Sequence, residues 1–146
     1  MGYTHYWHRY KEFSKTEWAS ILDNARCYLE SLPEADGFIY DYDHLARPAE
    51  FGPDQIHFTF KYIRPGNGEF EPLRLSRAIN DVWDEWGCCK TWGRNPYDYA
   101  VTGVLALAEH FAPRRYRFAR MACRSIGSRD WNSCERLPVS PSNCQR

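Results

Sequence analysis

Two short segments of the sequence carry the side chains that could do chemistry. Of the nine residues 2–10, seven are Tyr, Trp, His or Thr, and none is aliphatic. Further on, Cys89-Lys90-Thr91 precedes Asn95-Pro96-Tyr97-Asp98, which is typical of a helix start. A helix N-terminus attracts anions, and an ammonium and a hydroxyl just before it would add to that attraction. Since aromatic rings stack on flat bases, the two segments together predict a pocket for a phosphorylated, nucleotide-like small molecule.

The predicted pocket is lined by aromatic rings, imidazoles and the polar groups of the second segment. Its expected ligand-binding residues are Tyr3, His5, Tyr6, Trp7, His57, Lys90, Thr91, Tyr97 and Asp98. The sequence has neither a Gly-rich P-loop nor a GxGxxG motif. We expect no metal ion and no cofactor, because the six cysteines form no CxxC pair and the carboxylates of Asp41 and Asp43 beside His44 lack a further ligand at regular spacing.

The same residues permit catalysis as an alternative. In a metal-independent phosphodiesterase or lyase, His5 would be the general base, His8 or His57 the acid, and Lys90 would stabilise charge on the phosphate. The sequence does not decide whether the protein is an enzyme. A third hypothesis is a protein-binding inhibitor of a host factor, whose exposed aromatic side chains form the interface.

A purely structural interpretation stands beside these hypotheses. His5 could be a hydrogen-bonded core histidine, Tyr97 a core residue and Asp98 a charge that suits the helix start. Lys90 and Thr91 would then belong to an ordinary solvated turn.

The opening segment is predicted to be a β-strand, because aromatic and β-branched side chains fit a pleated surface. Alternation assigns Tyr3, His5, Trp7 and Arg9 to one face and Thr4, Tyr6, His8 and Tyr10 to the other. Neither set is purely apolar, so we expect one face to border a polar cavity lined by rings.

Two helices are predicted. Ser14 and Glu17 have capping-box spacing and open a helix over 15–31, before Pro33. Pro96 begins a second helix whose apolar face continues to Phe111, before Pro113. A weaker pattern indicates a helix over 76–85.

Further strands are expected at 38–40, 55–63 and 86–91. Pro72 makes the segment near 73–75 an edge strand or a loop, and 116–122 should be a strand or a short helix. The sequence therefore predicts an α+β fold, a single domain with an antiparallel sheet of about four strands and two main helices packed on one face. The domain should cover 1–126, and the Arg-, Ser- and Pro-rich segment 127–146 should be a loose tail.

Composition narrows the classes of partner. The formal net charge is zero, which makes nucleic acid an unlikely partner overall. However, the stretch from residue 113 onward contains 8 Arg and only two acidic residues, Asp130 and Glu135. A tail that binds nucleic acid is therefore a fourth hypothesis. No apolar run approaches the roughly 20 residues of a membrane span and no signal peptide is recognisable, so we expect a cytoplasmic protein with free thiols. A homo-oligomer is compatible with the sequence.

The start MGYTHYW and the later segment CKT…PYD, at 89–91 and 96–98, carry a resemblance. They resemble a family of small, mostly uncharacterised proteins of tailed bacteriophages and prophages, over roughly residues 2–8 and 88–108. The resemblance implies a phage accessory protein in the cytoplasm of an infected bacterial host. That class includes counter-defence factors, some of which sequester or cleave nucleotide signals.

Overall fold

The fold is α+β, with antiparallel sheets and two long helices. The computed structural model describes residues 2–32, 37–40, 50–62, 71–92, 96–123 and 135–136. Its elements in chain order are β1 (Gly2–Arg9), α1 (Lys15–Ser31), β2 (Gly37–Tyr40), β3 (Glu50–Phe51), β4 (Gln55–Tyr62), β5 (Leu73–Ser76), α2 (Val82–Glu85), β6 (Trp86–Trp92), α3 (Pro96–Phe111), β7 (Tyr116–Cys123) and β8 (Glu135–Arg136).

β1 is central to the main sheet, whose strand order is β6-β1-β7-β8. It pairs antiparallel with β6 on one side and with β7 on the other. α3 contacts all three of these strands, and α1 packs on α3. The predicted four-stranded antiparallel sheet with two main helices is thereby confirmed.

α1 begins where the capping box predicts. The Ser14 hydroxyl accepts from the backbone N–H of Glu17, and the Glu17 carboxylate accepts from the N–H of Ser14 at 2.7 Å. Trp18, Ile21 and Ala25 form its buried stripe. The spacing of these residues follows the helical period, so the same pattern that predicts the helix also selects its buried side.

A second sheet is built around β4, which pairs antiparallel with β2, β3 and β5. Ile56 and Phe58 of β4 and Leu73 and Leu75 of β5 are fully buried. Of the edge strand or loop expected near 73–75, the structure forms the strand, whereas the helix predicted over 76–85 is wrong in extent. Ser76 ends β5 and only Val82–Glu85 is helical, because the Asp81 side chain caps the N–H groups of Trp83 and Asp84 there.

Arg9 ties the main sheet to the second one. Its guanidinium donates to the carbonyl oxygens of Ser76, the last residue of β5, and of Arg77, the residue after it, and it lies 4.4 Å from the centroid of the Phe13 ring. Burial lowers the pKa of Arg9. A buried cation held by two carbonyls therefore fixes the end of β1.

The described residues cover only part of the C-terminal segment. β8, which pairs with residues 121–122, falls inside the stretch predicted to be a loose tail. The other residues of that stretch lie outside the description, as do Asp41, Asp43 and His44.

Candidate functional site

The two faces of β1 present different sites, and the first is a buried polar cluster on the face toward α3. His5 Nε2 lies 3.0 Å from Asp98 Oδ1 and 3.1 Å from Thr91 Oγ1. The hydroxyl of Thr91 donates to the same carboxylate oxygen at 2.6 Å. These three residues come from β1, β6 and the first turn of α3, and each is at most 2% exposed. The structure therefore brings together three of the residues predicted for the site.

The hydrogen-bond directions in this cluster indicate that it has a structural role. A carboxylate only accepts, so both His5 Nε2–H and the Thr91 hydroxyl donate to Asp98. Since the Thr91 proton is directed at the carboxylate, His5 is not arranged to remove it. His5 Nδ1 has no hydrogen-bond partner within the described part of the chain. The cluster joins the start of α3 to two strands, and its three side chains are almost completely shielded from solvent.

A second buried group lies next to the cluster. The Tyr97 hydroxyl donates to the Glu71 carbonyl, and the Cys89 thiol lies 3.6 Å from that hydroxyl. Burial raises the pKa of Cys89 to about 12 and the pKa of Tyr97 well above its ordinary value. Both groups are consequently protonated at neutral pH, and the structure places Tyr97 in the core.

Lys90 does not share a face with His5, although the two are close in the sheet. In the register of β1 and β6, His5 is opposite Cys89 and Lys90 is opposite Thr4. Because side chains alternate across a strand, the exposed side chain of Lys90 is on the face away from the cluster. Its backbone N–H donates to the Glu71 carboxylate at 2.7 Å.

The remaining predicted residues are divided between several places. Trp7 is buried, with its indole against the backbone of Gly87. Tyr3 is half-buried, opposite Thr91. His57 lies in the second sheet opposite Arg74. Of the predicted ligand-binding residues, Tyr6 and Trp7 border the open site described next.

The second site is a groove of about 450 Å³ on the outer face of the main sheet. Its lining comes from β1, β6 and β7 and the residues that adjoin them: Tyr6, Trp7, His8, Tyr10, Trp86, Gly87, Cys88, Arg117, Phe118 and Ala119. From His5 onward β1 alternates as expected, because Tyr6, His8 and Tyr10 border the groove while His5, Trp7 and Arg9 are buried. Thr4, which is predicted to share a face with Tyr6 and His8, is buried as well.

The strand register explains the shape of the groove. Tyr6 lies between Cys88 on β6 and Ala119 on β7, two small side chains that leave space above the strands. In the next row on the same face, His8 lies between Trp86 and Arg117, which are large. The small residues leave a hollow, and the row of large side chains forms a wall along one side of it.

The wall is an organised set of rings. The His8 imidazole stacks on the Trp86 indole with centroids 3.7 Å apart, and Tyr10 meets His8 edge-on at 4.4 Å. Trp86 is still 55% exposed, although His8 covers one face of the indole. His8 Nε2 lies 3.9 Å from a carboxylate oxygen of Glu85. The wall therefore offers aromatic surface together with an imidazole.

The sequence does not predict most of this groove. Its patterns place Trp86 and Cys88 in a strand, and Arg117 and Ala119 in a strand or short helix, but they indicate no functional role for these four residues. Alternation along β6 and β7 selects which of their residues share a face. Only the pairing of both strands with β1 brings those residues beside Tyr6 and His8.

Comparisons with known proteins add no assignment: no protein-family model, curated protein or solved structure matches the chain. Of the helices in the described ranges, none is long and apolar enough to cross a membrane. The described His, Cys, Asp and Glu side chains form no group of three that could hold a metal ion.

Proposed function

We propose that the protein binds a flat, negatively charged, nucleotide-like small molecule in the groove on the outer face of β1. The observation that supports this most is the groove itself, which combines the rings of Tyr6 and Trp86 with the cationic side chain of Arg117. A volume of about 450 Å³ lies within the range of small-molecule sites, roughly 300–1,000 Å³. The ligand class is the one that the sequence favours, but the proposed site lies on the face of β1 opposite to His5.

Binding without turnover is the preferred form of this function. The candidate general base, His5, is fully buried and directs Nε2 at Asp98. A general base must come within hydrogen-bond reach of the proton that it removes. Cleavage of a nucleotide signal stays a prediction from the sequence. An origin in a tailed phage and a counter-defence role stay predictions from the resemblance.

Calorimetric titration of the full chain tests the proposed function. The probes are the four ribonucleoside 5′-monophosphates and a set of cyclic dinucleotides. We expect at least one probe to bind, and Trp86→Ala to weaken it roughly tenfold or more, since a base stacked on an aromatic ring contributes about 1–3 kcal/mol. The matched control is Trp83→Ala, which removes an exposed indole outside the groove. The absence of binding for every probe, or equal losses in both variants, would contradict the proposal.

Trp83 itself favours a second candidate function, the recognition of a protein. Its side chain is 65% exposed and that of neighbouring Val82 is 61% exposed, and exposed aromatic residues dominate protein interfaces. Capture of a specific host protein that is lost in Trp83→Ala, with nucleotide binding intact, would establish this function. Capture that is unchanged in Trp83→Ala would exclude this surface.

A further inference from the structure

Two side chains that can carry positive charge are cross-strand neighbours at one end of the groove. His8 on β1 is directly opposite Arg117 on β7, and both line the groove. Directly opposed side chains on one face of a sheet lie about 5 Å apart at their Cβ atoms. An anionic group placed above this pair would contact the His8 imidazole, and it would contact the Arg117 guanidinium once that group turns from its carboxylate partner toward the groove.

Each of these two groups already faces a carboxylate. Arg117 Nη1 lies 3.3 Å from Glu109 Oε1 on α3, and Arg117 is 64% exposed. His8 faces Glu85 at the longer distance of 3.9 Å. An exposed ion pair of this kind is weak because water screens it, so a stronger anion can displace Glu109 from the guanidinium.

We propose that Arg117, with His8 beside it, recognises the phosphoryl group of the ligand, and that Glu109 competes with that group for Arg117. This inference rests on the proposed function for the ring portion of the ligand. The guanidinium fork matches the oxygen geometry of a phosphoryl group and can donate two parallel hydrogen bonds to it. Lys90, the cation predicted from the sequence, is two residues beyond Cys88 on the same face and is not among the residues that line the groove.

The test measures binding of inorganic pyrophosphate and of nucleoside monophosphates to the full chain by NMR titration and calorimetry. We expect Arg117→Gln to weaken both about ten- to a hundredfold, as for loss of hydrogen bonds to a charged group. Arg114→Gln removes the same charge from a nearby exposed residue outside the groove, and it should change affinity less than twofold. Lys90→Gln should behave like this control.

A second variant tests whether Glu109 competes with the phosphoryl group for Arg117. Glu109→Gln should strengthen pyrophosphate binding about two- to fivefold, because it frees the guanidinium from a weak ion pair. The matched control is Glu17→Gln, which breaks the Arg115–Glu17 pair away from the groove while Gln preserves the capping box. It should leave affinity unchanged. Equal affinity in wild type and Glu109→Gln would overturn the competition.

The outcomes separate this inference from the proposed function. If pyrophosphate binding depends on Arg117 and no nucleotide binds, the phosphoryl position holds and the nucleotide proposal fails. If nucleotides bind and Arg117→Gln binds them as wild type does, the phosphoryl position is overturned while the groove keeps its ligand. Loss of binding in Lys90→Gln alone would overturn it as well, since the anion would then lie at the other end of the sheet.

Discussion

The inner and outer faces of β1 carry similar residue types but have opposite chemistry. On the inner face, His5 meets the carboxylate of Asp98 at 3.0 Å with no exposure of either group. On the outer face, His8 meets the carboxylate of Glu85 at 3.9 Å, and both are partly exposed. Covering by α3 converts the first pair into a structural link, whereas the second stays accessible to a ligand. An imidazole-rich segment thus predicts polar surroundings, but it does not predict which of its histidines a ligand can reach.

Adjacent cysteines provide the sharpest test of this comparison. Cys89 points to the inner face and Cys88 to the groove. Burial raises the pKa of Cys89 from 9.0 to about 12, so at about pH 8 its thiolate is roughly a thousandfold scarcer than that of an ordinary cysteine. Burial also raises the pKa of Cys88, which is only half-buried. We expect iodoacetamide to modify Cys88 slowly and Cys89 only after unfolding, as read by peptide mass spectrometry.

The control for this experiment is the exposed thiol of Cys27, which should react before either of them. Modification of Cys89 in the native protein at the rate of Cys88 would show that the inner face is open. A bound ligand should slow the reaction of Cys88 and leave that of Cys27 unchanged.

The two histidine–carboxylate pairs should differ strongly in their contribution to stability. Asp98→Ala leaves the His5 N–H and the Thr91 hydroxyl buried without their shared acceptor, at about 1–3 kcal/mol for each group. We expect the free energy of unfolding in urea to fall by roughly 3 kcal/mol. Glu85→Ala on the outer face should cost less than about 1 kcal/mol. Equal losses would mean that the cluster does not link the start of α3 to β1 and β6.

Packing on the inner face should also be intolerant of added volume. A Cβ at Gly87 would collide with the Trp7 indole, so we expect Gly87→Ala to lower the free energy of unfolding by about 1–3 kcal/mol. Thermal and urea denaturation would measure this loss. A variant as stable as wild type would show that the indole can shift at no cost.

The smallest effect on stability is expected on the floor of the groove. Ala119→Leu places a larger side chain beside Tyr6 on the outer face, where the hollow provides room. Stability should change by no more than about 0.5 kcal/mol. Ligand binding, measured by the calorimetric titration above, should be lost because the side chain occupies the ligand's volume. Undiminished binding would place the ligand elsewhere.

The local elements of this protein are predictable from its sequence. The capping box at Ser14 and Glu17, the proline that opens α3 and the alternation of β1 are all encoded by neighbouring residues, because hydrogen bonds and periodicity within an element act over a few positions. The α+β class follows from those elements. The extent of α2 does not follow from the sequence. The apolar period over 76–85 is typical of a helix, but Leu73–Ser76 forms a strand that pairs with β4.

Which residues form a site depends instead on contacts between distant parts of the chain. Nothing local distinguishes His5 from His8, and the choice of the face that α3 covers depends on the pairing of β1 with β6 and β7. A shift of one residue in that register would exchange the buried and exposed sets. The contacts of Asp98 with His5 and of Arg117 with the groove join positions far apart in the chain, and such pairings are set by the balance of burial over the whole molecule.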